Sequence, residues 1–274
     1  MKKHTELPCD FHMHTEFSGD SRTPVSEMIE HAIRKDLSAI CITDHLDFDY
    51  PYDNPKDFEL DNDMYFDTVS RLARQYSDRI QIMIGVETGL EPDKAELLDQ
   101  FISRHPYDFI IGSSHLVHRR DPYYPEFFEH RSDSEAFTEY FESILENLKT
   151  CHNFDVYGHI DYVVRYSPNK SNNYSYARYA PIIDEILKKL IRSGKGIEIN
   201  SGGFRSGLDF PNPHPDILKH YRQLGGEIIT IGSDAHTPEY IAGNFAQTVS
   251  VLEACGFRYY TIFKKRKPVF LKIS

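Results

Sequence analysis

Asp10-Phe11-His12-Met13-His14 ends the first strand-like stretch of the chain, Leu7–His12, and its reading decides how everything after it is read. Alternate residues of a strand point to the same side, so His12 and His14 share one face. Two imidazoles on one face can chelate a single metal ion. Taken alone, a His-x-His pair is weak: it arises by chance, and an exposed pair is the more common outcome.

The pattern recurs at six further strand ends. Probable strands Ala39–Thr43, Ile80–Val86, Phe109–Gly112, Val156–Gly158, Gly196–Ile199 and Glu227–Ile231 are short, branched or aromatic, and end near Gly, Ser, Asp or His. They run into Thr43-Asp44-His45, Gly85-Val86-Glu87, Ser113-Ser114-His115, Gly158-His159-Ile160-Asp161, Glu198-Ile199-Asn200 and Gly232-Ser233-Asp234-Ala235-His236. Helical patterns separate them. Thr23-Pro24 is a cap-then-proline start, followed by Val25, Met28, Ile29, Ala32 and Ile33 on one face. Asp93–Ser103, Ser134–Leu148 and Arg178–Arg192 read as helices, and Asn212-Pro213 and Thr237-Pro238 repeat the start signal. A last strand, Tyr259–Phe263, precedes a basic tail at Lys264–Lys267.

Strands alternating with helices imply a parallel α/β sheet. Seven of them suggest a closed, TIM-like (β/α)7 barrel; a doubly wound open sheet is the competitor. In a barrel all these strand ends lie on one C-terminal rim, where such folds carry their sites. Imidazoles and carboxylates buried at that density are costly without metal. No repeat, low-complexity tract or Gly/Ser linker divides the chain, so residues 1–274 are expected to form one domain. Two longer segments, Leu46–Asp61 and Leu116–Asp133, are placed to shape access to the rim.

Composition narrows the function. The net charge of −11 argues against a nucleic-acid backbone as partner. No apolar run is long enough for a bilayer, and the start, Met1-Lys2-Lys3-His4-Thr5-Glu6, turns polar at once. A cytoplasmic location with no membrane partner is the expectation, and oligomeric state is left open. Cys9, Cys41, Cys151 and Cys255 are widely spaced, as reduced buried thiols are. There is no GxSxG elbow and no GxxxxGK[ST] loop.

Asp10-x-His12-x-His14-Thr15, Thr43-Asp44-His45, Glu87, Ser114-His115, Gly158-His159-x-Asp161 and Ser233-Asp234-x-His236 resemble, in order, the motif set of the PHP (polymerase and histidinol phosphatase) superfamily. Thr15-Glu16-Phe17-Ser18-Gly19-Asp20, the chain length and Arg165 after His159 make the layout most similar to its stand-alone phosphatases. The resemblance implies a distorted seven-stranded barrel and three divalent metal ions (Zn, Mn, Fe or Co). His12, His14, Glu87 and Asp234 would hold the first ion, with Glu87 bridging to a second held by His115 and His159; Asp20, His45 and His236 would hold the third. Some members have a histidine where this chain has Asp20, a departure that could shift preference toward harder ions. Three such ions would add about six positive charges to one cleft, so net charge misdescribes it.

The implied activity is hydrolysis of a small-molecule phosphate ester, L-histidinol phosphate in histidine biosynthesis, by attack of a metal-bound hydroxide. Another phosphomonoester, or a nucleotide or nucleic-acid end, is the alternative substrate; a non-enzymatic metal-binding module is the rival class. Asp10, Asp44 and Asp161 are read as carboxylates that orient imidazoles, Asp161 with a smaller share as proton donor to the leaving group. Arg165 is the first candidate for gripping phosphate, Arg119 or Arg120 the second and Arg205 a weaker one, with Ser18 as a hydroxyl donor.

Overall fold

The computed structural model describes residues 8–52 and 55–273. Leu7, the first residue of the expected first strand, lies outside them. Residues 10–14 are extended and hydrogen-bonded along both edges. On one side the amides of Phe11 and His14 donate to Ile231 and Ala235, each at 2.9 Å, and the Asp234 amide returns to His12 at 2.8 Å. On the other, the amides of Cys41 and Thr43 donate to Asp10 and Met13, each at 2.9 Å. This segment is therefore the seam that joins the first and last strands of the sheet, and it carries the His-x-His pair into the join.

The sheet is parallel throughout and built from β1 (Ala39–Ile42), β2 (His45–Leu46), β3 (Gln81–Gly89), β4 (Phe109–Ser113), β5 (Val156–Tyr157), β6 (Gly196–Asn200) and β7 (Ile229–Gly232). Its order is β1-β3-β4-β5-β6-β7, with β2 pairing farther along β3 so that His45 sits beside Glu87. With residues 10–14 between β7 and β1 this is the expected distorted TIM-like barrel, and the open doubly wound alternative falls away. Strands such as Ala39–Ile42 and Ile229–Gly232 are buried along their whole length, as parallel strands covered on both faces must be.

Helices cover the outside: α1 (Val25–Arg34), α2 (Asn62–Gln75), α3 (Ala95–Ser103), α4 (Asp133–Thr150), α5 (Tyr176–Arg192), α6 (Gly202–Arg205), α7 (Pro215–Gln223) and α8 (Phe245–Ala254). Each of the longer ones buries one stripe. In α1 it is Val25, Met28, Ile29 and Ala32, and each of the first three contributes about 1.5–3 kcal/mol on burial. A capping box between Ser132 and Glu135 starts α4, satisfying two amides that the first turn leaves free.

Local readings shift in four places. α1 starts at Val25 after Pro24, and the Thr23 hydroxyl donates to the His236 carbonyl at 3.4 Å instead of capping the helix. Asn212-Pro213 is a cis peptide, and α7 begins at Pro215 behind the His214 ring, which accepts from the Asp216 amide. Thr237-Pro238 opens only a short 3-10 turn, with α8 starting at Phe245. The basic tail is the turn of an antiparallel hairpin, β8 (Tyr259–Lys264) and β9 (Lys267–Lys272). There the Arg266 amide donates to the Asp108 carbonyl and its guanidinium to Asp155, at the N-terminal ends of β4 and β5. The hairpin thus covers the end of the barrel opposite the histidines.

Candidate metal centre

Glu87 stands at the middle of the C-terminal rim, fully buried on β3. Its two oxygens face two different groups of imidazoles. Oε2 lies 3.0 Å from His12 Nε2, 3.5 Å from His14 Nε2 and 3.2 Å from His45 Nδ1. Oε1 lies 2.9 Å from His159 Nε2 and 3.2 Å from His115 Nε2, and accepts from the Ser113 hydroxyl at 2.7 Å. Asp234 Oδ1 closes the first group, 3.5 Å from His14 Nε2 and 3.8 Å from His12 Nε2. A third group sits at the mouth: Asp20 Oδ2 is 3.0 Å from His236 Nε2 and 3.6 Å from His45 Nε2. All nine expected ligands therefore converge, from six strand ends and the loop that follows residues 10–14.

The hydrogen bonds behind the rings fix which nitrogen faces inward. His12 Nδ1 donates to Glu198 Oε1 at 2.6 Å. His14 Nδ1 donates to the Ser18 hydroxyl at 3.0 Å, and that hydroxyl donates to Asp44 Oδ1 at 2.6 Å. His14 Nε2 is then a bare lone pair, and it faces His12 Nε2 at 3.1 Å. Two ring nitrogens at that distance need a proton or a metal cation between them. The same want of a partner is visible nearby: His45 Nδ1, Asp47 Oδ2, Glu87 Oε2 and His159 Nδ1 are buried with no hydrogen bond among the described residues. Five carboxylates (Asp20, Asp47, Glu87, Glu198 and Asp234) meet one buried guanidinium, Arg165, with Arg205 at the rim. Without metal, only protonated imidazoles can offset these carboxylates, and burying charge of this kind costs several kcal/mol per group, on the order of the values known for buried ions. Divalent cations fit the donor set, the geometry and the missing charge.

Ionisation follows the same pattern. Burial pushes Glu87 up, but His12, His115 and His45 outweigh it and hold the carboxyl well below its usual range. Burial likewise opposes ionisation of Asp234, and His12, His14 and Arg165 reverse it. Burial and the neighbouring His236 and His45 hold His14 well below the ordinary imidazole value, so that it stays neutral. A neutral imidazole is the form that ligates.

Above the cluster lies a cavity of about 430 Å³. Arg165, Arg205, Tyr50, Asp121, Tyr124 and Tyr162 are among the residues that line it, with the Arg165 guanidinium over the Tyr162 ring at 5.5 Å. Arg165 is buried and tightly held: its NH1 donates to Asp234 Oδ2 at 2.8 Å, its NH2 to Asn200 at 2.7 Å and its Nε to Asn212 at 2.7 Å. Two of the five guanidinium N–H groups are left over. Arg205 spans the carbonyls of Ser233 and Asp234 at 3.1 and 2.7 Å.

Four expectations need correction. Ser18 does not present a hydroxyl to the cavity: it is buried behind His14, accepts from the His45 amide and donates to Asp44. Arg119 points away, donating to the Asp49 carbonyl at 3.0 Å, and Arg120 pairs with Glu139. Asp161 is not a proton donor in the cavity: its oxygens accept from Asn212, the His214 amide and Tyr174 at 2.6, 2.8 and 3.0 Å, outside the lining. Of the three carboxylates expected to orient imidazoles, only Asp44 does so, through Ser18; Asp10 accepts from the amides of Ser233 and Ala242, each at 2.9 Å. The residues that take that role directly are Glu198 on His12 and Asp47 on His115 Nδ1 at 2.8 Å. A signal for Glu198 was present in the sequence: a lone acidic residue between Ile197 and Ile199 on a fully buried strand.

A parallel α/β barrel with imidazoles and carboxylates converging on its C-terminal rim is the architecture of a metal-dependent hydrolase. A family model for the PHP domain matches residues 10–202. The chain is 32% identical over 262 residues to the histidinol-phosphatase of Lactococcus lactis subsp. lactis, covering 94% of this chain and 95% of the relative. It is 33% identical over 264 residues to a probable histidinol-phosphatase of Clostridium acetobutylicum, covering 96% of both. Its fold matches the crystal structure of the Lactococcus lactis histidinol phosphate phosphatase complexed with zinc, L-histidinol and phosphate, with a TM-score of 0.86, 31% identity and coverage of 96% and 99%. The chain belongs to the PHP domain family. No helix among the described residues is long and apolar enough to cross a membrane.

Proposed function

We propose that this chain hydrolyses L-histidinol phosphate to L-histidinol and phosphate with the help of three divalent cations. The observation that carries the reading is Glu87, whose two oxygens each face a separate group of imidazoles. Its likeness to phosphatases of that name along nearly the whole chain supports the substrate.

His12, His14, Glu87 and Asp234 would hold one ion; Glu87, His115 and His159 a second; Asp20, His45 and His236 a third. Bound there, such ions supply positive charge to the phosphoryl oxygens and activate water for in-line attack. The chain's own residues do the rest. Arg165 locks Asp234 Oδ2, so that Oδ1 is left toward His12 and His14. Its remaining N–H groups and Arg205 form the cationic wall against which a phosphate can lie. Asp44 and Ser18 hold the His14 ring in the tautomer that offers Nε2 inward. The tyrosines that line the cavity enclose the organic part of the ester and keep bulk water from it.

Steady-state phosphate release from a panel of phosphomonoesters tests the assignment. L-Histidinol phosphate is expected to give the highest kcat/KM; equal rates across the panel overturn the substrate while leaving the chemistry.

A further inference from the structure

We infer that Glu198 is a positioning residue for metal binding: one buried carboxylate that fixes both the His12 ring and the backbone at His159. The inference rests on the metal-dependent reading above and adds a residue outside the nine expected ligands.

Glu198 lies fully buried in the middle of β6, between Ile197 and Ile199, with its side chain turned into the barrel. Oε1 takes the His12 Nδ1 proton at 2.6 Å. Oε2 accepts from the His159 amide at 3.0 Å and from the Asn200 side-chain amide at 3.1 Å. The carboxylate therefore ties the seam segment to the end of β5 through a strand that is itself next to β5.

The surroundings are shaped to receive it. Gly232 has no side chain where a Cβ would come within 2.3 Å of Glu198 Oε1 and 2.4 Å of the His12 Cβ. At Gly158 a Cβ would meet Ser113 Oγ at 2.5 Å and Glu198 Oε2 at 3.5 Å. His159 has a φ of +20°, in a region that side-chain-bearing residues rarely adopt, and its amide is the one turned onto Oε2. Strain of that sort persists only where surrounding contacts enforce it. One glycine, Gly232, and one strained histidine thus converge on a single acid that bears on two of the expected ligands.

The consequence is chemical as well as steric. A ring that gives its Nδ1 proton to a carboxylate is held in one tautomer and presents a more basic Nε2. In His12 that nitrogen is 3.0 Å from Glu87 Oε2. Glutamine at position 198 can accept from His12 through its oxygen, but its NH2 then opposes the His159 amide, donor against donor. It can satisfy one partner and not both.

The test uses the full chain as wild type, Glu198→Gln and Glu198→Ala, each loaded with cobalt(II). Expected for Glu198→Gln is a folded protein whose melting midpoint after metal removal falls by a few degrees, the scale of one unsatisfied buried amide. It should bind at least one ion about 10- to 100-fold more weakly in competition with a chelating dye. Its cobalt d–d absorption should be altered, and kcat should fall with KM nearly unchanged. Glu198→Ala should show the same defects more strongly. Wild-type cobalt affinity and absorption in a folded Glu198→Gln protein overturn the inference. If wild type itself takes up no cobalt and releases no phosphate, the functional reading fails first, and the two failures are distinguishable.

Discussion

Arg165 and Asp234 meet in a buried pair at 2.8 Å, and the pair leaves the second Asp234 oxygen aimed at the histidines. Asn200 and Asn212 hold the other two guanidinium nitrogens, so the arginine is rigid before any substrate arrives. Replacing Arg165 with Met is expected to lower kcat/KM by about 10²-fold or more, the scale of losing one fixed donor at a charged transition state. Because it removes the guanidinium from a buried ion pair, leaving Asp234 Oδ2 only the Asn200 amide at 3.3 Å, it should also lower stability by about 3 kcal/mol. Urea unfolding and phosphate release on the same preparation check both. A variant as stable as wild type would show that the pair is not needed to hold Asp234.

Glu87→Gln keeps the shape of the side chain and removes its charge. Turnover is expected to drop by about 10³-fold, because the amide can offer only one oxygen where the structure asks two to face separate groups. Circular dichroism should still report a folded chain. Turnover within a few-fold of wild type would refute the bridging role.

Stripping metal should act on stability as well as rate. A ligand that binds the folded state alone adds RT ln(1 + [L]/Kd), about 2.7 kcal/mol at a hundredfold excess over Kd. Dialysis against a chelator is therefore expected to abolish hydrolysis and to lower the melting midpoint by several degrees, and returning zinc, manganese or cobalt should restore both. A midpoint that ignores the chelator would argue against a cluster filled in solution.

Glu91, on the loop after β3, gives a pH prediction with a definite sign. Burial, with Asp93 and Asp47 adding to it and Arg119 opposing, raises its pKa from 4.5 to about 7. A carboxyl whose folded value is raised favours the folded state only while protonated. Its stabilising share is present below about pH 4.5 and is lost as pH rises toward 7. Glu91→Gln is therefore expected to raise the melting midpoint relative to wild type at pH 8 and to change it little at pH 4. A larger gain at pH 4 than at pH 8 would reverse the assignment.

The rim was legible in the sequence because its ligands fall at strand ends, where His and Asp interrupt apolar runs with a regular spacing. The barrel's closure was half legible: Leu7–His12 read as a strand, but its pairing along both edges, to residues 41–43 and 231–235, is set by the tertiary fold. Asp161 misled because nearness to His159 in the chain was taken for nearness in space. The turn at His159 instead sends it under Asn212 and Tyr174. Asp47 was hidden in a loop rich in acidic residues, where nothing local distinguishes the one that reaches His115. Ser18 and Arg119 sit beside real site elements, and their partners, Asp44 and the Asp49 carbonyl, are set by tertiary contacts that no local pattern encodes.

Elemental analysis of purified protein, dialysed free of loose ions, tests the central claim most directly. Roughly three divalent ions per chain are expected on the proposed three-ion reading, with fewer in Glu87→Gln. A chain that retains none, yet releases phosphate from L-histidinol phosphate at full rate, would contradict the account.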